Sequence, residues 1–227
     1  MEYLLENPVY NALLSGDKEL GIGTEKVRYF NEDISPFAGF KGSSEQGFNE
    51  LFKLLPPGRK ILYATPHLIT EPNGWQLLNE IKGLQFILNK GANVDSFQFE
   101  PVQLGKENIE EMVQLAGLTK PGPFGKRTIE FGHYYGIFQN GKLAAMTGQR
   151  LHVNSYTEIS AVCTHPDYTG KGFAAALVQH QVQLIYNQNQ IPFLHVREDN
   201  VRAIALYERL GFRISRPMNF YFLKRRE

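Results

Sequence analysis

"CTHPDYTGKGFAAALVQH", Cys163 to His180, joins an apolar run to an alanine-rich segment through a loop carrying two glycines and a lysine. The run before it, "YTEISAVCT" (156–164), is rich in β-formers, and the segment after it places Phe173, Ala174, Leu177, Val178, Val182 and Ile185 at helical spacing. A strand passing directly into a helix puts this loop at a strand's C-terminal end, where ligands of open α/β sheets bind. The first N–H groups of such a helix lack intrahelical partners and carry the positive end of its dipole. Gly170 and Gly172 let the backbone approach a ligand, Lys171 adds a charge, and the small Ala174 and Ala175 keep the approach open. These are the ingredients of a pyrophosphate cradle, although a simple strand-to-helix turn fits the same residues. Neither Gly-x-x-x-x-Gly-Lys-Ser/Thr nor Gly-x-Gly-x-x-Gly is present.

Working outward, "PFLHV" (192–196) reads as the next strand, so the helix of the quoted stretch becomes a parallel βαβ crossover. "NVRAIALYERLGF" follows as a helix, with Asn200 as N-cap and Gly211 just past its end, and "RISRPMNFYFL" supplies final strand material. Upstream, "YYGIFQNGKLAAMTGQRLHV" is a hairpin around Asn140–Gly141, a pair that supplies the positive φ of a type I′ turn. "GKENIEEMVQLAG" is an amphipathic helix, and "FQFEPVQL" (97–104) suits a strand. In residues 1–96, "VRYF" and "KILYATP" read as strands and Leu51–Leu55 as a helix end stopped by Pro56, Pro57 and Gly58. "GWQLLNEIKG" (74–83) has apolar residues at helical spacing between two glycines, and "LQFILNKG" reads as a strand with a turn after it. The expectation is an α/β (α+β) chain with a smaller N-terminal α/β domain over 1–96 and a main domain over 97–227.

Composition narrows the function classes. At 227 residues with 24 basic and 23 acidic side chains, the chain has a net charge of +1 and no global field for nucleic acid or an anionic membrane. Cys163 is the only cysteine, which excludes an intrachain disulfide and a cysteine-based metal site and suits a reducing, cytoplasmic setting. The N-terminus lacks the pattern of a signal peptide, and no run is long and apolar enough to span a membrane. The six histidines show no metal-binding spacing, so no metal is expected. A monomer or homodimer is compatible with all of this.

Two motifs in the right order carry a resemblance. Thr169-Gly170-Lys171-Gly172-Phe173-Ala174 matches an Arg/Gln-x-x-Gly-x-Gly/Ala loop, and Asn200, Ala203, Tyr207, Gly211 and Phe212 match Asn-x-x-Ala-x-x-x-Tyr-x-x-x-Gly-Phe. Residues 97–227 thereby resemble the GNAT superfamily of acetyl-CoA-dependent N-acetyltransferases. That implies a central mixed, mostly antiparallel sheet flanked by helices, and transfer of acetyl from acetyl-CoA to a primary amine of a small molecule or peptide by direct attack in a ternary complex. The loop departs from the pattern at Thr169, where a longer side chain is usual. A non-enzymatic CoA-binding or regulatory module on the same fold remains the alternative.

The resemblance also implies roles. The loop from Thr169 through Ala175 would hold the CoA diphosphate. The backbone of Val162, Cys163 and Thr164 would pair with the pantetheine arm, with Cys163 a buried small residue rather than a nucleophile. Asn200 would cap its helix and touch the same arm, and the Tyr207 hydroxyl would face the sulfur as general acid. Glu158 is the expected general base: it lies in an otherwise apolar strand, where strict alternation puts Glu158, Ser160, Val162 and Thr164 on one face. An edge carboxylate paired with an arginine or lysine is the other reading of Glu158. His133, Tyr134 and Tyr135 are weak candidates for the acceptor pocket, with ordinary strand packing as the plainer explanation. Residues 1–96 would cover the acceptor side, whose amine the sequence does not name.

Overall fold

The computed structural model describes residues 2–88 and 99–227. Three short strands, β1 (Gly21–Gly23), β2 (Val27–Phe30) and β3 (Ala38–Phe40), make a small antiparallel sheet. The main sheet has eight described strands: β4 (Lys60–Thr65), β5 (Trp75–Ile87), β6 (Val102–Gln103), β7 (Tyr135–Gln139), β8 (Lys142–Val153), β9 (Tyr156–Thr164), β10 (Ile191–Arg197) and β11 (Arg213–Arg225). Their order is β4-β11-β5-β10-β9-β8-β7-β6. Every neighbouring pair is antiparallel except β9 and β10. The mixed, mostly antiparallel sheet expected from the resemblance is therefore present.

Five α-helices accompany it among the described residues: α1 (Pro8–Leu14), α2 (Ser44–Leu54), α3 (Ile109–Thr119), α4 (Phe173–Asn187) and α5 (Val201–Arg209). Local chemistry accounts for several boundaries. The Ser43 hydroxyl accepts from the Gln46 N–H, and the Asn200 carbonyl oxygen accepts from the Ala203 N–H at 3.2 Å, capping α2 and α5. Asn140 (φ 52°) and Gly141 (φ 75°) make the tight turn between β7 and β8.

The helices divide between the two faces of the sheet. Residues of α1 and α3 (Val9, Leu13, Met112, Leu115) pack with Met146, Leu151, Cys163 and Phe193. On the other side, Val178, Val182 and Ile185 of α4 and Tyr207 of α5 pack with Phe86, Ile159 and Leu194. A third cluster, Phe40, Phe48, Tyr63, Trp75 and Tyr221, fixes α2 to the far end of the sheet.

One element of the N-terminal half differs from expectation. Gly74–Gly83, expected as a helix, lies mostly in the 13-residue strand β5. Apolar residues at Trp75, Leu78 and Ile81 fit a helical stripe, but pairing with β11 along nearly the whole strand and with β10 over Gly83–Ile87 decides the outcome. The expected boundary at residue 96 falls outside the described residues. On its N-terminal side, β4 and β5 belong to the main sheet, with β5 between β11 and β10. The strand expected over 97–104 is Val102–Gln103 among the described residues, and Phe97, Gln98 and the turn expected after Leu88 lie outside them.

Candidate active site

The parallel pair at the centre of the sheet is short. β9 and β10 pair only through Tyr156–Glu158 and Ile191–Phe193. Beyond that point β9 follows β8 and β10 follows β5, so the facing edges separate. Such a gap, with main-chain groups on both sides, can accept an extended polar ligand in the manner of an added strand. Val162, Cys163 and Thr164 lie along it.

β9 is not regular along this gap. Ala161 has φ 52°, and its ladder with β8 skips a residue between Ser160 and Cys163. This bulge breaks the strict alternation expected of Glu158, Ser160, Val162 and Thr164. Ile159 and Val162 pack into the α4/α5 cluster, whereas Ala161 and Cys163 pack into the opposite one. A second irregularity sets Arg150 and Leu151 of β8 against the single residue Glu158.

That second bulge brings Arg150 onto Glu158. Arg150 donates from Nε and Nη2 to the two carboxylate oxygens at 2.8 and 2.7 Å. His195 Nδ1 of β10 lies 2.7 Å from Glu158 Oε1, and the Gln85 amide of β5 lies 3.0 Å from His195 Nε2. Because that same amide nitrogen donates to the Leu5 carbonyl, it also donates to His195, which places the imidazole hydrogen on Nδ1, toward Glu158. The Gln85 carbonyl oxygen is buried without a partner among the described residues. Burial alone would push the Glu158 carboxyl up. The Arg150 guanidinium beside it, and then the His195 hydrogen bond, outweigh burial and hold it well below the usual carboxylate range. The side chain is fully buried, so Glu158 meets neither solvent nor the adjoining cavity.

Arg150 and His195 do reach that cavity, a cleft of about 650 Å³. Four rings, Phe37, Phe124, Phe220 and Phe222, form much of its wall. Leu62 and Ile81 from the N-terminal half and Val196 from the separated half of β10 also line it. The gap and the cavity thus share β10 as a common wall.

The quoted loop lies at the other end of the gap. Gly170 and Gly172 have φ of 81° and 84°, a left-handed backbone that suits glycine. Gly172 is the N-cap of α4 and offers no side chain to its first turn, leaving those N–H groups for a ligand. A Cβ at Gly170 would meet nothing within 4 Å, so the cradle is open. Lys171 is exposed, with its Nζ 5.0 Å from the centre of the Tyr168 ring. The Thr169 hydroxyl donates to the Pro166 carbonyl at 3.0 Å, so this residue braces the loop from within.

Tyr207 is buried beside Phe86 and Phe212, and burial, with the nearby Cys163, pushes its phenol well above the usual range. Cys163 is buried too, and burial pushes its thiol up to about 11, which fits a packing residue rather than a nucleophile. The weak acceptor candidates go elsewhere. Tyr134 is core, its ring 5.7 Å from that of Phe124, and neither it nor His133 nor Tyr135 lines the cavity. Among the described residues no group of His, Cys, Asp and Glu is placed to hold a metal ion, and no helix is long and apolar enough to cross a membrane.

A mixed sheet opened at its one parallel pair, with a glycine-lined helix N-terminus at one end of the opening and a cavity at the other, defines an acyltransferase-like architecture. The comparisons agree. The family described as FR47-like protein matches residues 134–221. A GNAT-family chain from Novosphingobium aromaticivorans is 32% identical over 99% of each chain, with a TM-score of 0.89. A GCN5-related N-acetyltransferase from Kribbella flavida shares the fold at 15% identity and a TM-score of 0.64, covering 96% of this chain and 94% of its own. The [ribosomal protein bS18]-alanine N-acetyltransferase of Escherichia coli is 35% identical over 77 residues, which are 34% of this chain and 51% of that one. The chain spans about half the length of the curated relatives it matches. It belongs to the GNAT family.

Proposed function

We propose that the chain transfers the acetyl group of acetyl-CoA to a primary amine, by direct attack of the amine in a ternary complex. The observation that carries this reading is the β9/β10 gap, which runs from the N-terminus of α4 to a wall of the cavity. The residues from Thr169 through Ala175 suit the CoA diphosphate, through free N–H groups and Lys171. The backbone of Val162–Thr164 suits the pantetheine arm, with Asn200 at its side. Residues 2–88 cover the acceptor side through Phe37, Leu62 and Ile81. The relative named for an alanine of a ribosomal protein supports an α-amino group as acceptor. The cytoplasm is the compartment that suits a lone buried thiol.

In the step itself, the amine nitrogen bonds to the thioester carbonyl carbon and the C–S bond breaks. Backbone groups released from the ladder at the Ala161 bulge are available to the carbonyl oxygen. Tyr207, kept protonated by burial, gives its proton to the departing thiolate. The amine proton leaves to solvent through the open cleft, since both ring nitrogens of His195 are engaged, Nδ1–H by Glu158 and Nε2 by the Gln85 amide. Glu158 then acts as a positioning residue, holding Arg150 and the His195 ring in the cavity wall, rather than touching the amine.

Calorimetry with acetyl-CoA followed by free-thiol release over a panel of amines tests the reading. Binding together with amine-dependent thiol release is expected. Binding with no release from any amine would favour a CoA-binding module, and no binding would overturn both.

A further inference from the structure

The lining of the cavity carries a charge pattern that acetyl transfer by itself does not require. Its charged side chains are Lys120, Arg150 and Arg197, and no carboxylate lines it among the described residues. Glu158 matches Arg150 from behind the wall, and Asp199 matches Arg197 at 2.6 Å. Lys120 is matched by no carboxylate of the described residues. It caps the C-terminus of α3 at φ 51°, its N–H donating to the Ala116 carbonyl at 2.8 Å, and turns the chain into the proline-rich segment that forms the rim. A left-handed lysine costs roughly 1–2 kcal/mol and is kept where surrounding structure fixes it. The backbone of an exposed cation is thereby fixed at the rim of a cleft whose remaining charges are already matched.

A polyamine or a lysine side chain would bring positive charge against these groups and be disfavoured. A free α-amino acid with a large apolar side chain matches each part. The side chain meets the four phenylalanine rings, the carboxylate meets Lys120, and the amine is left toward His195. A cavity of about 650 Å³ has room for such a molecule and the acetyl end of the donor. We infer that the acceptor is a free α-amino acid with a large aliphatic or aromatic side chain; this rests on the acetyl-transfer reading above.

The experiment compares thiol release from acetyl-CoA with phenylalanine, leucine, phenylalaninamide, the dipeptide Phe-Gly, phenethylamine and spermidine. Phenylalanine and leucine should exceed the carboxylate-free amines by about tenfold or more in kcat/KM, the scale of one charge-assisted contact. In Lys120→Met that preference for phenylalanine over phenethylamine should collapse, with the change in KM. Equal or faster reaction of phenylalaninamide, Phe-Gly or spermidine would overturn the inference while leaving acetyl transfer standing. Release from none of the amines would overturn the transfer reading and this one with it.

Discussion

Glu158→Gln is expected to lose about 3–5 kcal/mol of stability at neutral pH, because it leaves Arg150 buried without its counter-charge. For a chain of this size the melting temperature should fall by roughly 6–20 °C. The loss should depend on pH with a definite sign. The folded-state pKa of Glu158 lies below its ordinary 4.5, so its stabilisation is complete above about pH 5 and disappears as pH falls through the folded-state value. The gap in Tm between wild type and variant should therefore be widest near neutrality and narrow in acid. Turnover should fall as well, because His195 loses the carboxylate that orients it. Adding Arg150→Met to Glu158→Gln should recover much of the stability and none of the turnover, which separates the two roles. A single variant that melts like wild type at pH 7 would contradict the buried ion pair.

Tyr207→Phe is the second large effect. Removing only the hydroxyl should lower kcat by about 10²-fold, the scale of a lost general acid, with acetyl-CoA affinity unchanged. The ring stays among Phe86, Phe212 and their neighbours, so the Tm should move little. Since burial raises the phenol above its ordinary 10.0, wild-type kcat should show no alkaline fall from this group below about pH 10. A kcat within two- to threefold of wild type would remove Tyr207 from the proton path.

How far the sequence discloses this site depends on the range of each interaction. The loop and its flanking strand and helix are local, and turn chemistry and period mark them; Gly170 and Gly172 do adopt positive φ. The hairpin at Asn140–Gly141 is legible for the same reason. Trp75–Ile87 is not, since its apolar spacing fits a helix and only partners more than a hundred residues away make it a strand. Glu158 stands out as a charge in an apolar strand, yet its setting comes from three other strands: Arg150 on β8, His195 on β10 and Gln85 on β5. The available signal was three ionisable side chains, Arg150, Glu158 and His195, each set in an apolar strand of one sheet. The Ala161 bulge leaves no mark at all, because alanine does not announce a left-handed backbone.

On the proposed function, the opening between β9 and β10, with the N-terminus of α4 at its mouth, holds acetyl-CoA. Titrating acetyl-CoA into wild type and Gly172→Val tests it most directly. Valine at φ 84° strains the loop and sets a branched side chain at the cradle, so affinity should drop at least about tenfold while the far-ultraviolet circular dichroism stays that of the wild type. Equal affinity in the two proteins would contradict a diphosphate site at the N-terminus of α4.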